Sequence, residues 1–251
     1  MMREINSELA TGSDYRSSHN AAGAGAYYNR TYELGYYAAL WARIEKPLVA
    51  GILQALGSPH KKCLDFACGT GRITNVAAEH FGGVVGVDVS QSMLASARVP
   101  TNVRLYQTDL TRQPLHESFD VVTAFRFFLN ADDLLRRDAL HAIRQHLNER
   151  GWLICNVQMN ATSPFGLAAR AANLFPHTNL RNTMSIPELS ALLTACDFSI
   201  EQVVPYGYLP RPGSLFPRLC EVWLEPVERI ARAVRLPASM AQQFLIVARK
   251  T

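Results

Sequence analysis

No stretch of the 251-residue chain stays apolar over the length a bilayer crossing needs, and Met1 to Asn20 is too polar for a secretory signal. A cytoplasmic protein with no membrane span is the expectation. The five cysteines (63, 68, 155, 196 and 220) form no CxxC pair. That argues against a thiolate metal centre or a redox pair, so they read as reduced core residues in a protein that holds no metal. Charge of one sign is also scarce: 25 Lys and Arg against 21 Asp and Glu leave a formal +4. The balance is compatible with an anionic substrate but lacks the concentrated basic stripe of a nucleic-acid binder. Internal repeats and long low-complexity tracts are missing too. What remains is 48% hydrophobic, enough for a substantial core in one or two domains.

The most ordered pattern begins at Cys63. Cys63 to Phe66 is a short apolar run that reads as a buried strand, and the small residues Ala67, Cys68, Gly69, Thr70 and Gly71 follow. Ile73, Val76, Ala77 and His80 then fall at helical spacing. Strand, glycine turn and helix make the first half of a nucleotide-binding βαβ unit. Glycine lets the backbone approach a ligand, and the helix start offers unpaired N–H groups. Beyond Gly82-Gly83, taken as a helix stop, Val84 to Asp88 is a second buried strand ending in a carboxylate, where a ribose diol would be gripped. Ser90 suits an N-cap. A third strand, Val103 to Gln107, ends in Thr108-Asp109-Leu110.

Further along, residues 119–125 and 152–158 read as strands four and five, with a helix over about 132–148 between them, stopped by Gly151. Ser185 and Glu188 form a capping box ahead of a helix over 189–196. A strand over 198–204, an amphipathic helix over 219–234 and a last strand over 243–249 complete the chain. The stripe Val222, Trp223, Val227, Ile230 and Val234 marks the long helix for packing or for a membrane surface; packing is expected, because Glu221, Glu225 and Glu228 dilute its positive face. Strands alternating with helices imply a doubly wound, Rossmann-like α/β fold, with a mainly parallel sheet covered on both faces.

Here a family resemblance becomes specific. Leu64-Asp65-Phe66-Ala67-Cys68-Gly69-Thr70-Gly71, Val87-Asp88-Val89-Ser90-Gln91-Ser92-Met93-Leu94 and Gln107-Thr108-Asp109-Leu110 resemble the successive motifs of class I S-adenosylmethionine-dependent methyltransferases, over a core from about Cys63 to Gln158. The resemblance implies a seven-stranded sheet with its last strand antiparallel, S-adenosyl-L-methionine as cofactor and S-adenosyl-L-homocysteine as product. It puts Asp65, Ala67, Gly69 and Gly71 under the methionine part, Asp88 on the ribose, Val89 and Met93 on the adenine and Asp109 on its amine. Thr108, Leu110 and Phe125 complete that expected set. Ala67 departs from the family, which most often has glycine there; the added methyl is small, and the site is expected to survive it.

Small-molecule relatives usually carry an N-terminal aromatic segment that borders the cofactor. Here Tyr27, Tyr28, Tyr32, Tyr36 and Tyr37 fall within eleven residues. They either pack on the core or form a lid, with Tyr28 named toward the cofactor. Arg43, 22 residues before Asp65, is either a partner of the cofactor's carboxylate or a plain surface ion pair. The expected organisation is an N-terminal helical lid over 1–58 and a cofactor-binding core over 59–251, with acceptor-capping insertions at about 159–184 and 205–238.

The expected reaction is methyl transfer to an oxygen or nitrogen of a small-molecule acceptor: a metabolite, natural-product intermediate or sugar. It needs collinear alignment and, for an alcohol, a base. His177 and His19 are candidates for that base or else surface residues, and Tyr28, the other catalytic candidate, could orient an acceptor by hydrogen bonding, as could Tyr206 and Tyr208. Arg126 is a substrate anchor or a surface cation, and Phe127 and Phe128 are core rings or acceptor walls. Alternatives are a different use of the same cofactor, such as cyclisation, a non-catalytic cofactor-binding protein, or an NAD(P)-dependent oxidoreductase. The last is disfavoured: the third glycine of its fingerprint falls at Thr74, and no tyrosine has a lysine four residues on. A nucleic-acid substrate is not expected, because Arg126-Phe127-Phe128-Leu129-Asn130 stands where an Asn/Asp-Pro-Pro-aromatic motif would. A monomer or homodimer is expected.

Overall fold

The computed structural model describes residues 23–174, 182–209 and 217–251. The chain enters through α1 (Ala24–Thr31), α2 (Tyr36–Leu40), a π-helical turn (Trp41–Glu45) and α3 (Lys46–Leu56). Then follow β1 (Ser58–Phe66), α4 (Arg72–Ala78), β2 (Phe81–Asp88), α5 (Gln91–Leu94), β3 (Val103–Gln107) and β4 (Phe119–Ala124). The second half holds α6 (Asp133–His146), β5 (Leu147–Val157), α7 (Pro164–Ala172), α8 (Ile186–Ala195), β6 (Phe198–Tyr206), α9 (Pro217–Ala233) and β7 (Gln243–Lys250).

The strands make one seven-stranded sheet in the order β3-β2-β1-β4-β5-β7-β6. β7 runs antiparallel to both of its neighbours and the other pairings are parallel. Alternate residues of each central strand serve opposite faces. Leu64, Phe66, Val85, Val122 and Leu153 join α6 and α8 in one core, while Cys63, Val84, Val121 and Ile154 join α2, α3, α4 and α9 in the other. A parallel sheet covered on both sides needs such continuous apolar strands. Val49 and Leu53 of α3 are fully buried, and each stabilises the docked helix by about 1.5–3 kcal/mol.

Helix starts are written locally. Asp132 accepts from the Leu135 amide (2.8 Å) and Ser163 from that of Gly166 (3.0 Å). Ser185 and Glu188 close the capping box expected from sequence. Several boundaries differ, among them the start of β1, which lies at Ser58 and not at Cys63. Gly82-Gly83 lies inside β2 instead of ending a helix, because a side chain on Gly82 would collide with the Pro59 carbonyl of β1. β5 begins at Leu147, so Gly151 is a strand residue wedged against Leu147 and the Asp120 carbonyl. The insertion expected at about 159–184 holds α7, started by the Ser163 cap and Pro164.

Candidate functional site

At the carboxyl ends of β1 to β5 the sheet opens into a cavity of about 560 Å³. This is where the crossover on either side of β1 leaves a crevice in an open α/β sheet. The turn after β1 forms its floor. Ala67, Gly69 and Gly71 all take left-handed φ (54°, 56° and 83°). Glycine does so freely; at Ala67 the Cβ costs roughly 1 kcal/mol. The turn is held from beneath by Asp65. Its carboxylate is buried and accepts from the hydroxyls of Thr74 (2.5 Å) and Thr123 (2.7 Å). Burial pushes the carboxyl up to about 6, the two hydroxyls offsetting part of the rise.

Two further acids stand at the next strand ends. Asp88 accepts from the amides of Gly69 (2.7 Å) and Ser90 (2.8 Å), so its carboxylate ties the glycine turn to the start of α5. Asp109 accepts from the amide and hydroxyl of Thr111 (3.0 and 2.6 Å) and lies 3.5 Å from Arg112. Both acids line the cavity, with Val89, Met93, Thr108 and Leu110 beside them.

The opposite wall is a cage of rings and guanidiniums. Tyr28, Tyr32, Tyr36 and Tyr37 of the N-terminal helices and their connection line the cavity. The Tyr28 oxygen accepts from Arg72 (2.9 Å) and Arg126 (3.2 Å). The Arg72 guanidinium stacks 3.5 Å from the Tyr32 ring centroid, and Arg126 lies 4.6 Å from the same ring. Burial alone would raise the Tyr28 phenol, but the charges of Arg126 and Arg72 outweigh it and bring the group below the usual tyrosine value. Behind the cage, Glu45 is buried. It accepts from Tyr206 (2.8 Å) and Asn156 (2.9 Å) and pairs with Arg126 (3.5 Å). Burial raises its carboxyl, with Arg72 and the two hydrogen bonds acting against the rise.

Three buried donors on residues that line this cavity, Thr70 Oγ1, Arg72 Nη1 and Gln158 Nε2, make no hydrogen bond among the described residues. An unsatisfied buried donor costs about 1–3 kcal/mol. Three around one space fit a ligand rich in acceptor oxygens.

Several expected positions fall elsewhere. Arg43 is outside the cavity, bonded to the Glu221 carbonyl (3.0 Å) and 3.9 Å from the Glu225 carboxylate. The π-helical turn Trp41–Glu45 inserts a residue into the helical repeat, turning Arg43 outward and Glu45 inward. Asp65 and Gly71 shape the turn without lining the cavity. Tyr206 is buried on Glu45, and Tyr208 donates to the Leu236 carbonyl. Phe125 and Phe127 line the cavity, whereas Phe128 is wholly core. Asn182 and Met159 bring the 159–184 stretch to the cavity; among the described residues, 205–238 brings none. His177 and His19 lie outside the described residues, and no described histidine lines the cavity. Sequence reasoning passed over Arg72, Glu45 and Gln158. For Arg72 a signal existed: a cation at the first position of a helix opposes the dipole and needs another reason to be there.

Residues 63–151 match the family model described as a methyltransferase domain. Over 124 residues, 45% of each chain, the protein is 26% identical to malonyl-[acyl-carrier protein] O-methyltransferase of Bacillus anthracis. The curated relatives are matched over 27% to 45% of their own length. Magnesium protoporphyrin IX methyltransferase (ChlM) of Synechocystis, solved with S-adenosylhomocysteine bound, superposes with a TM-score of 0.63 at 14% identity, covering 94% of this chain and 97% of that one. The N-methyltransferase NodS of Bradyrhizobium japonicum, in complex with S-adenosylhomocysteine, gives 0.58 at 15% identity, covering 99% and 97%. At such identities the structural likeness is one of fold.

Proposed function

We propose, from the match of residues 63–151 to a methyltransferase domain, that this chain is a class I S-adenosylmethionine-dependent methyltransferase whose cavity transfers a methyl group to an oxygen or nitrogen of a small-molecule acceptor. The observation that carries the reading is the placing of Asp88 and Asp109 on neighbouring strand ends, beside a left-handed turn, around one cavity. The residues present fit the cofactor. Asp88, on the cavity wall at the end of β2, takes the ribose hydroxyls, as a carboxylate with about four acceptor sites suits a diol. Asp109 takes the adenine amine, with Val89 and Met93 against the ring.

S-adenosylmethionine supplies a methyl on a cationic sulfur that leaves as a neutral thioether, so the protein has chiefly to align the acceptor and exclude water. Arg72, which lines the cavity where Arg43 does not, is the cation for the cofactor's carboxylate. Tyr28, held by two guanidiniums, takes the acceptor's proton. Gln158, Asn182 and Gln242, which all line the cavity, supply amide groups for a polar acceptor. The N-terminal helices, with Met159 and Asn182 from the other side, serve as covers over the two ligands.

Calorimetric titration tests the reading. S-adenosylhomocysteine should bind, and Asp88→Ala should weaken it by roughly 1–3 kcal/mol through lost charged hydrogen bonds. Tight binding of NADH with no response to S-adenosylhomocysteine would overturn it.

A further inference from the structure

Helix α9 is apolar on two sides, and the fold uses one. Cys220, Leu224 and Ala231 are buried, the first two in the core that holds α2. Turned the other way are Leu219, Val222, Trp223, Ile230 and Val234, each 51% to 67% exposed. At 100° per residue these five share an arc of roughly 120°. The stripe read from sequence as a packing face is therefore largely the outward one. Fourteen large hydrophobic side chains are exposed among the described residues, and five of them lie on this arc, so the patch is concentrated and not scattered.

The charge beside it is positive. Arg218 and Arg229 line one border and Arg235 follows the helix end; none of the three forms an ion pair among the described residues. Of the three helix acids, Glu228 is buried on Arg232 (3.0 Å) and the Gly207 amide (3.0 Å), Glu225 lies 3.9 Å from Arg43, and Glu221 falls by helical spacing nearly opposite the centre of the arc. Antiparallel pairing with a second copy about a twofold would set the Arg218–Arg229 border against itself, whereas an anionic lipid surface neutralises it.

We propose that α9 lies flat in the headgroup region of a membrane containing anionic lipids. The apolar arc enters the acyl boundary, Trp223 sits at its edge, and the arginines meet lipid phosphates. This goes beyond the methyl-transfer reading and stands whatever the acceptor is. α2, which packs on α9, also lends Tyr36, Tyr37 and Leu40 to the cavity wall, so docking brings that wall close to lipid.

The test is sedimentation of the full chain with phosphatidylcholine vesicles, alone or mixed with phosphatidylglycerol. The chain should pellet with the anionic vesicles and release as salt rises. Its tryptophan emission should shift to the blue, and Trp223→Phe should abolish the shift. Arg218→Glu with Arg229→Glu should weaken binding by about tenfold or more. Val222→Ser with Ile230→Ser should remove binding while leaving the melting temperature within a few degrees, as surface changes do. Failure to pellet with either vesicle would overturn the proposal, as would undiminished binding by the Val222→Ser, Ile230→Ser variant. A dimer in light scattering that this variant dissociates would assign the face to a second copy instead.

Discussion

Asp65 offers the sharpest check on the physical account of the site. Its carboxylate sits beneath the glycine turn with two threonine hydroxyls for company, and burial raises it from 3.8 to about 6. At 1.36 kcal/mol per unit the displacement corresponds to about 3 kcal/mol. For an acid whose folded value is raised, that stability is fully present below about pH 4, where both states are protonated. It is lost as pH rises toward 6, because the unfolded chain ionises first, and above 6 the loss is complete. Asp65→Asn removes the proton equilibrium while keeping a group that can meet both hydroxyls.

The measurement is urea unfolding of both proteins, without ligand, from about pH 4 to pH 7. Titration of every other group is common to the two chains and cancels in the difference. The wild type should lose about 3 kcal/mol relative to Asp65→Asn across that range. Parallel stability curves would refute the argument, since they would mean that the carboxyl titrates alike folded and unfolded.

Other perturbations probe the neighbouring parts. Ala67→Gly should stabilise the chain by about 0.5–1 kcal/mol by relieving the left-handed alanine, read as a rise of a few degrees in melting temperature. Tyr28→Phe should lower turnover by roughly 100-fold or more and change S-adenosylhomocysteine affinity much less. It should also flatten the fall in rate as pH drops below the depressed phenol value; an unchanged pH profile would make Tyr28 a packing residue only. Glu45→Ala should destabilise by about 3–5 kcal/mol in urea unfolding, because it strips Arg126, Tyr206 and Asn156 of one buried partner together.

What could be read from sequence divides along a physical line. The strand–turn–helix at Cys63, the acid ending β2, the Ser90 cap and the capping box at Ser185 are interactions between residues close in the chain. Composition and spacing alone carry them. The cage around Tyr28 is different: Arg72, Arg126 and Glu45 come from three separate segments, 27 to 81 residues apart, and no local pattern joins them. A π-helical turn compounds this by changing which of Arg43 and Glu45 faces inward, and a 3.6-residue period cannot foresee an inserted residue.

Helix α9 shows the same limit from another side. Its apolar positions satisfy two faces at once, and periodicity cannot choose which the body covers. The choice is made by α2, whose Tyr36 and Leu40 share a core with Cys220 and Leu224. Packing therefore leaves the larger side chains, Trp223 among them, outside. The polar cage and the unused helix face share one cause. Both depend on how the N-terminal helices dock, and the motifs of the sheet do not encode that docking.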